Sequence, residues 1–273
     1  MKKNKGGNNN EKSILISIDR IFEKSSILGS TGNQYLKIYL KDDDILITQL
    51  GSLICMNSGI EKADLKFDGI LHGFSKILAG EPLFYQIYKG NKKENGYIYI
   101  GSNFINSIIA IKIRKGEIYR LSRNCFLAST GNIKISFTFQ AKGIFEIGQE
   151  EGFFLPTATC FIGEYGYIWL CAYGNLEKII IPNNDYLIID NGIFLACNNM
   201  YQYEISKLGK SLFSSFFGGE GFGMKFRGPA EIYIQTKNIN DFLIQGSSNE
   251  DNVNTIINNG ELISNAINLL NNN

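Results

Sequence analysis

The feature that most constrains this chain is a glutamate beside a glycine, followed by an aromatic residue, which occurs three times. The three glutamates are Glu81, Glu151 and Glu220, and they lie 70 and then 69 residues apart. The third copy is the clearest, because Gly219 and Gly221 flank its glutamate. A recurrence at nearly constant spacing indicates that one structural unit is repeated along the chain.

Two further landmarks recur in the same order around each glutamate. The first is a polar turn and a strand that ends in a small or sulfur-containing residue, namely Cys55, Ala128 and Ala196. The other is a turn followed by an alternating aromatic strand, at 96–100, 166–170 and 230–234. Three landmarks in the same order predict three repeats, at about 34–101, 107–173 and 175–237.

The repeats have the pattern of short strands joined by turns. Leu36, Ile38 and Leu40 alternate with polar or aromatic neighbours, which is the period of a half-buried strand. The same alternation occurs over 133–140, and glycines separate the runs where turns need positive φ. We therefore predict an all-β protein of three sandwich-like or barrel-like repeats, packed with pseudo-threefold symmetry.

The segments outside the repeats have a different composition. Residues 1–33 form an N-terminal extension in which 14–22 alternate loosely and predict an edge strand, with 25–33 as a connection. Residues 238–273 form an asparagine-rich tail in which Leu262, Ile263 and Ala266 have helical spacing. The sequence therefore predicts a body at 34–237 and a short C-terminal helical tail.

Charge and cysteine content argue against several classes of function. The net charge of +1 gives no general electrostatic reason to bind nucleic acid or an anionic membrane. Five dispersed cysteines without close pairs predict buried, reduced thiols and no disulfide framework. The aromatic residues alternate on strands with no clustered Lys or Arg between them, so we expect them to serve core and interface packing and expect no aromatic or basic cluster on one face.

The sequence offers little catalytic chemistry. The glycines around Glu220 lack the spacing of a phosphate-binding loop, since Met224 stands where a dinucleotide fingerprint needs glycine. His72 is the only histidine and lies in a loop-like stretch, so neither a histidine-based catalytic site nor a zinc site is expected. We expect the three glutamates to fix turns, with a cation-binding ring as the alternative. No cofactor is expected.

The third repeat carries a family resemblance. The run from Gly218 to Phe222, then Gly228-Pro229 and Tyr233 to Thr236, resembles the signature of the altered-inheritance-of-mitochondria, or mitochondrial biogenesis, family. The resemblance covers roughly 30–237. It implies three β-sandwich repeats similar to the tryptophan-RNA-binding attenuation protein (TRAP-like), and it carries over no catalytic residues. Pro82 and Glu150 depart from the glycines expected in the first and second copies.

The resemblance also shapes the expected function. Together with the lack of catalytic motifs, it leads us to expect a non-enzymatic scaffold or interaction protein of unknown molecular activity, with a binding module for a small ligand or nucleic acid between the repeats as the alternative. The sequence is compatible with an unidentified protein partner and with an oligomer. Peripheral membrane association is implied by the resemblance only, and nucleic acid is not the favoured partner. The family implies a mitochondrial location, with the cytoplasm as the alternative. The predicted structural motif comprises Glu81, Glu151, Gly219, Glu220, Gly221, Gly228 and Pro229.

Overall fold

A computed structural model describes most of the repeat region. The described residues are 18–63, 85–91, 95–102, 104–122, 125–139, 154–190, 192–207 and 222–238. Within these ranges the chain forms antiparallel strands and one short helix, so the predicted all-β class is confirmed. No helix in these ranges is long and apolar enough to cross a membrane.

The first described segment is helical, where the sequence predicted an edge strand. Residues 18–23 form helix α1, and the strand β1 follows at Ser25–Leu28, within the predicted connection. Ile18 and Ile21 are three residues apart, so one face of the helical turn places both in the core. The prediction of a strand is therefore wrong over 18–22, and residues 14–17 lie outside the described ranges.

Eighteen further strands follow in the described residues, and they fall into three groups of six. The first group is β2 (Tyr35–Leu40), β3 (Ile45–Gln49), β4 (Leu53–Met56), β5 (Ile60–Ala63), β6 (Tyr85–Gly90) and β7 (Gly96–Gly101). The second is β8 (Asn106–Arg114), β9 (Ile118–Leu121), β10 (Phe126–Thr130), β11 (Ile133–Phe139), β12 (Phe154–Cys160) and β13 (Tyr165–Tyr173). The third is β14 (Leu176–Ile181), β15 (Tyr186–Asp190), β16 (Phe194–Asn198), β17 (Tyr203–Lys207), β18 (Phe222–Arg227) and β19 (Ala230–Gln235).

Strand pairing follows one pattern in all three groups. The sixth strand of a group pairs with its first and third strands, and the fifth pairs with its second and fourth. Groups are joined because the second strand of one group pairs with the third strand of the next, as β3 with β10 and β9 with β16. The result is two six-stranded sheets between a first sheet, β1-β2-β7-β4, and a last sheet, β15-β18-β17.

Three hydrophobic clusters lie between these four sheets. One joins the first sheet to the first six-stranded sheet, a second joins the two six-stranded sheets, and a third joins the second six-stranded sheet to the last. Both faces of the six-stranded sheets therefore contribute to a core, whereas the first and last sheets each bury mainly one face. Burial of this kind is the dominant stabilising contribution in a protein built from stacked sheets.

Two local features recur in each group and explain why the strands begin and turn where they do. A residue with positive φ precedes the second strand in each group, namely Asp43, Gly116 and Asn184. An acidic residue follows each of them, and Asp44 and Glu117 each accept a hydrogen bond from the backbone N–H three residues earlier. The third strand of each group also carries an irregularity in its register, as expected of a β-bulge.

The chain divides into two units, Met1–Thr236 and Lys237–Asn273. The predicted repeat boundaries, the pseudo-threefold arrangement, the TRAP-like assignment and the helical tail stay predictions.

Candidate functional site

The structure describes only two of the seven residues in the predicted structural motif. Glu81, Glu151, Gly219, Glu220 and Gly221 lie outside the described residues, as does His72. The expectation that the three glutamates fix turns, with a cation-binding ring as the alternative, therefore stays a prediction. Gly228 and Pro229 are described and form the turn between β18 and β19.

The Gly228-Pro229 turn is held by close backbone packing. The two residues are joined by a cis peptide bond, and the Gly228 N–H donates to the carbonyl oxygen of Asp185 at 2.9 Å. A Cβ at position 228 would collide with the carbonyl oxygen of Pro182 and lie 2.8 Å from that of Ile181. Glycine is thus required because another backbone segment occupies the space of a side chain.

Replacing Gly228 with alanine is expected to lower the free energy of unfolding by about 1–3 kcal/mol, because the new methyl group must displace backbone atoms. Urea denaturation followed by tryptophan fluorescence measures the change. The neighbouring Arg227→Ala is the control, since its ion pair with Glu204 is solvent-exposed and is worth less than about 1 kcal/mol. Equal costs for the two variants would contradict the proposed backbone constraint.

The cysteines differ from the sequence expectation at one position. Cys125, Cys160, Cys171 and Cys197 are buried free thiols, but Cys55 is exposed. The prediction that all five are buried is therefore wrong, because Cys55 lies on β4, at the edge of the first sheet. Burial raises the pKa of Cys171 to about 12, so this thiol stays protonated at neutral pH. No group of three potential metal ligands occurs among the described residues.

The outward face of the first sheet carries a cluster of aromatic side chains around one lysine. We call this set the Tyr–Lys face; it comprises Tyr35, Lys37, Tyr39, Tyr97 and Tyr99. The rings of Tyr35 and Tyr99 stack with centroids 5.9 Å apart, and Tyr97 meets Tyr99 edge to face at 5.9 Å. The Lys37 ammonium lies 4.8 Å from the ring centroid of Tyr39 and 5.3 Å from that of Tyr99. The cluster contradicts the expectation that no aromatic cluster forms on one face.

The environment of Lys37 keeps it charged. Hydrogen bonding to Tyr39 and Tyr99 raises the pKa of the Lys37 ammonium above its ordinary value. The ammonium also lies within the range at which aromatic rings attract cations. The Tyr–Lys face therefore offers a fixed positive charge among aromatic surfaces, an arrangement that suits a partner with exposed apolar or anionic groups.

A comparable set of side chains on the second group is covered by helix α1. Lys112 lies 3.4 Å from the ring centroid of Tyr165, and Phe22 of the helix stacks on Tyr167 with centroids 4.0 Å apart. The Tyr165 hydroxyl donates to Asp19 at 2.5 Å, and this hydrogen bond raises the pKa of Tyr165 to about 12. The helix thus covers aromatic rings in the second group, whereas the residues of the Tyr–Lys face are half-buried or exposed and no helix among the described residues covers them.

Strand β4 forms the edge of the first sheet beside the Tyr–Lys face, where Cys55 pairs with Tyr99. All four of its residues are exposed, including Leu53 at 40%, Ile54 at 57% and Met56 at 39%. The third strands of the other two groups, β10 and β16, are almost entirely buried. The exposed apolar surface is therefore a property of the first sheet's position, since its strand β4 has no neighbouring group on that side among the described residues.

The chain is thus an all-β protein of stacked antiparallel sheets whose first sheet exposes an aromatic and apolar surface. Residues 25–237 match the family model described as mitochondrial biogenesis AIM24. The match spans more than half of the chain, so the chain belongs to this family, and the resemblance identified in the sequence is confirmed.

Two relatives from Streptococcus pyogenes support the same assignment. An uncharacterised protein of serotype M6 is 26% identical over 215 residues, which cover 76% of this chain and 83% of that protein. A crystal structure of a protein from the same species has 25% sequence identity and a TM-score of 0.62. That match covers 80% of this chain and 95% of the solved chain. The relatives support the family and the fold, and their descriptions name no activity.

Proposed function

We propose that this chain is a non-enzymatic scaffold or interaction protein of its family, and that the exposed surface of the first sheet is where it binds a protein partner. The observation that supports the proposal is that all four residues of β4 are exposed, and their side chains are almost all apolar. Contiguous exposed apolar surface is uncommon on a monomer and marks interaction sites. The adjoining Tyr–Lys face adds tyrosine rings, which are enriched at protein interfaces.

A pair of isoleucines provides the test. Ile54→Lys introduces a charge on β4, and Ile180→Lys introduces the same charge on β14, where the isoleucine is 70% exposed. Each tagged variant is purified from the native organism, and its bound proteins are quantified by mass spectrometry. We expect Ile54→Lys to reduce partner recovery about tenfold, which corresponds to about 1.4 kcal/mol, and Ile180→Lys to leave it unchanged.

Circular dichroism melting confirms that both variants remain folded. Partner recovery that is unaffected by Ile54→Lys, or equally reduced by both variants, would sink the proposed role of the first sheet.

The second candidate function is a binding module for a small ligand or nucleic acid, and the Tyr–Lys face is the observation that favours it. Stacking of bases on aromatic side chains beside a positive charge is how many proteins bind single strands without sequence preference. Fluorescence anisotropy with a labelled single-stranded oligonucleotide distinguishes the candidates. Binding that is weakened by Tyr99→Ala and by raised salt concentration supports the module, and its absence supports the scaffold.

The location of the protein is also a proposal. The description of the family suggests a mitochondrial link. The bacterial origin of the two relatives supports the cytoplasmic alternative. Cell fractionation followed by immunoblotting with a tagged chain decides between the two locations.

A further inference from the structure

Two sheet edges in the described residues differ from their counterparts in the other groups. Between groups, the second strand of one group pairs with the third strand of the next, and this occurs twice. The remaining third strand is β4 of the first group, and the remaining second strand is β15 of the third group. Among the described strands, β4 pairs only with β7 and β15 pairs only with β18.

The side chains on these two edges are exposed where their counterparts are buried. When the third strands are aligned at their bulges, Met56 is equivalent to Ser129 and Cys197. Ser129 and Cys197 are fully buried, whereas Met56 is 39% exposed. The second strands can be aligned by the acidic residue that precedes each of them. Ile188 is then equivalent to Ile47 and Arg120, and both of these residues are at most 5% exposed. Ile188 itself is 39% exposed. At these positions both edges carry an apolar side chain that is exposed, whereas the equivalent side chains in the other groups are buried beneath a neighbouring strand.

The two pairings between groups also define a register. In the first, Ser129 faces Ile47 and Ala128 faces Thr48. In the second, the equivalent residues Cys197 and Ala196 face Arg120 and Leu121. The same rule places Met56 opposite Ile188 and Cys55 opposite Ile189.

We infer that the partner of the exposed first sheet is a second copy of this chain, whose β15 pairs antiparallel with β4 in this register. The contact is head to tail, because it joins the last sheet of one copy to the first sheet of the next. It creates a seven-stranded sheet, in which β1 lies at one edge and the other six strands have the same order as in the two six-stranded sheets within the chain. A heterologous contact of this kind forms a closed ring when the rotation permits it, and a filament otherwise.

The chemistry of both edges favours this occupant. The segment Leu53-Ile54-Cys55-Met56 contains no charge and no proline, the two devices that usually protect an exposed edge from pairing. On β15, Tyr186 and Ile188 present apolar surface on the outward face of the last sheet. Pairing the edges satisfies backbone donors and acceptors and removes apolar surface from water on both copies.

Position-specific disulfide formation between two chains tests this inference. All variants carry Cys55→Ser, so that the exposed native thiol does not react. Chains with Met56→Cys are mixed with chains carrying Ile188→Cys, oxidised with diamide and resolved on non-reducing gels. A disulfide requires Cβ atoms about 3.5–4.5 Å apart, so the predicted register should give a covalent dimer. We expect at least about tenfold more dimer than with the control Tyr186→Cys, which is exposed on the same face but two residues out of register.

Two outcomes would overturn the inference. One is equal or absent dimer formation in both mixtures. The other is a chain with both Met56→Cys and Ile188→Cys that forms only an internal disulfide, since β4 and β15 would then close the chain upon itself. Size-exclusion chromatography with light scattering should show an oligomer that Ile188→Lys reduces to monomers and that Ile180→Lys leaves intact.

The inference rests on the proposed function, because it names the partner of the first sheet, but the two can fail separately. Loss of other bound proteins in the Ile54→Lys variant, without any dimer in the disulfide test, supports the proposed function and contradicts the inference. Dimer formation in the predicted register, without other proteins lost on Ile54→Lys, supports self-assembly alone.

Discussion

Replacing Trp169 with alanine is expected to lower the free energy of unfolding by about 3–5 kcal/mol. Trp169 is fully buried in the cluster between the first sheet and the first six-stranded sheet, so its loss leaves a cavity in a closely packed core. Urea denaturation followed by circular dichroism measures the effect. Fluorescence is unsuitable for this variant, because Trp169 is the only tryptophan in the chain.

The matched control is Tyr99→Ala. Tyr99 pairs with Cys55 as Trp169 pairs with Ala128, so the two aromatic residues hold equivalent positions on the sixth strands of their groups. Tyr99 is half-buried on an outward face, and its removal leaves no closed cavity. We expect its substitution to cost about 1 kcal/mol, and a cost as large as that of Trp169→Ala would contradict the described burial.

The positions of many strands could be predicted from the sequence, because alternation is a local signal. Leu36, Ile38 and Leu40 alternate in the sequence, and the structure buries all three on β2. The predicted strand from Ile133 is likewise present as β11. Short apolar runs carry less information, because residues 18–22 are compatible with a strand or a helix by composition. In the structure they form a helix, which places both Ile18 and Ile21 in the core.

Burial of whole strands could not be predicted, because it depends on which strand lies alongside. The segments Leu53-Ile54-Cys55-Met56 and Phe126-Leu127-Ala128-Ser129 both consist mainly of apolar residues and have the same place in their groups. The second segment is buried because β3 pairs with it, whereas the first has no such neighbour among the described strands. Pairing between strands about 80 residues apart leaves no mark on local periodicity.

The candidate site was missed for a related reason. On β2, three residues of the Tyr–Lys face alternate with buried residues, so the sequence alone predicts that Tyr35, Lys37 and Tyr39 share a face. Its extension to Tyr97 and Tyr99 depends on β7 lying beside β2, which the structure shows in register. The repeated glutamates are the more prominent pattern in the sequence, but they lie outside the described residues.

Replacing Arg20 with methionine is expected to lower the free energy of unfolding by about 2–4 kcal/mol. The Arg20 guanidinium pairs with the Asp44 carboxylate, whose side chain is only 1% exposed. Removing one partner of a buried pair costs about 3–5 kcal/mol, and the partial exposure of Arg20 reduces this cost. Because the pair also links helix α1 to the turn before β3, hydrogen exchange should become faster in residues 18–23.

The neighbouring acid provides the control for Arg20. Lys89 pairs with Asp43 at 2.8 Å, but the Asp43 side chain is 71% exposed, so Lys89→Met should cost less than about 1 kcal/mol. The double variant Arg20→Met with Asp44→Asn should regain part of the lost stability, because no buried charge then lacks its cation. If the double variant is less stable than Arg20→Met alone, the carboxylate of Asp44 is stabilised chiefly by its backbone hydrogen bond from Lys41 rather than by Arg20.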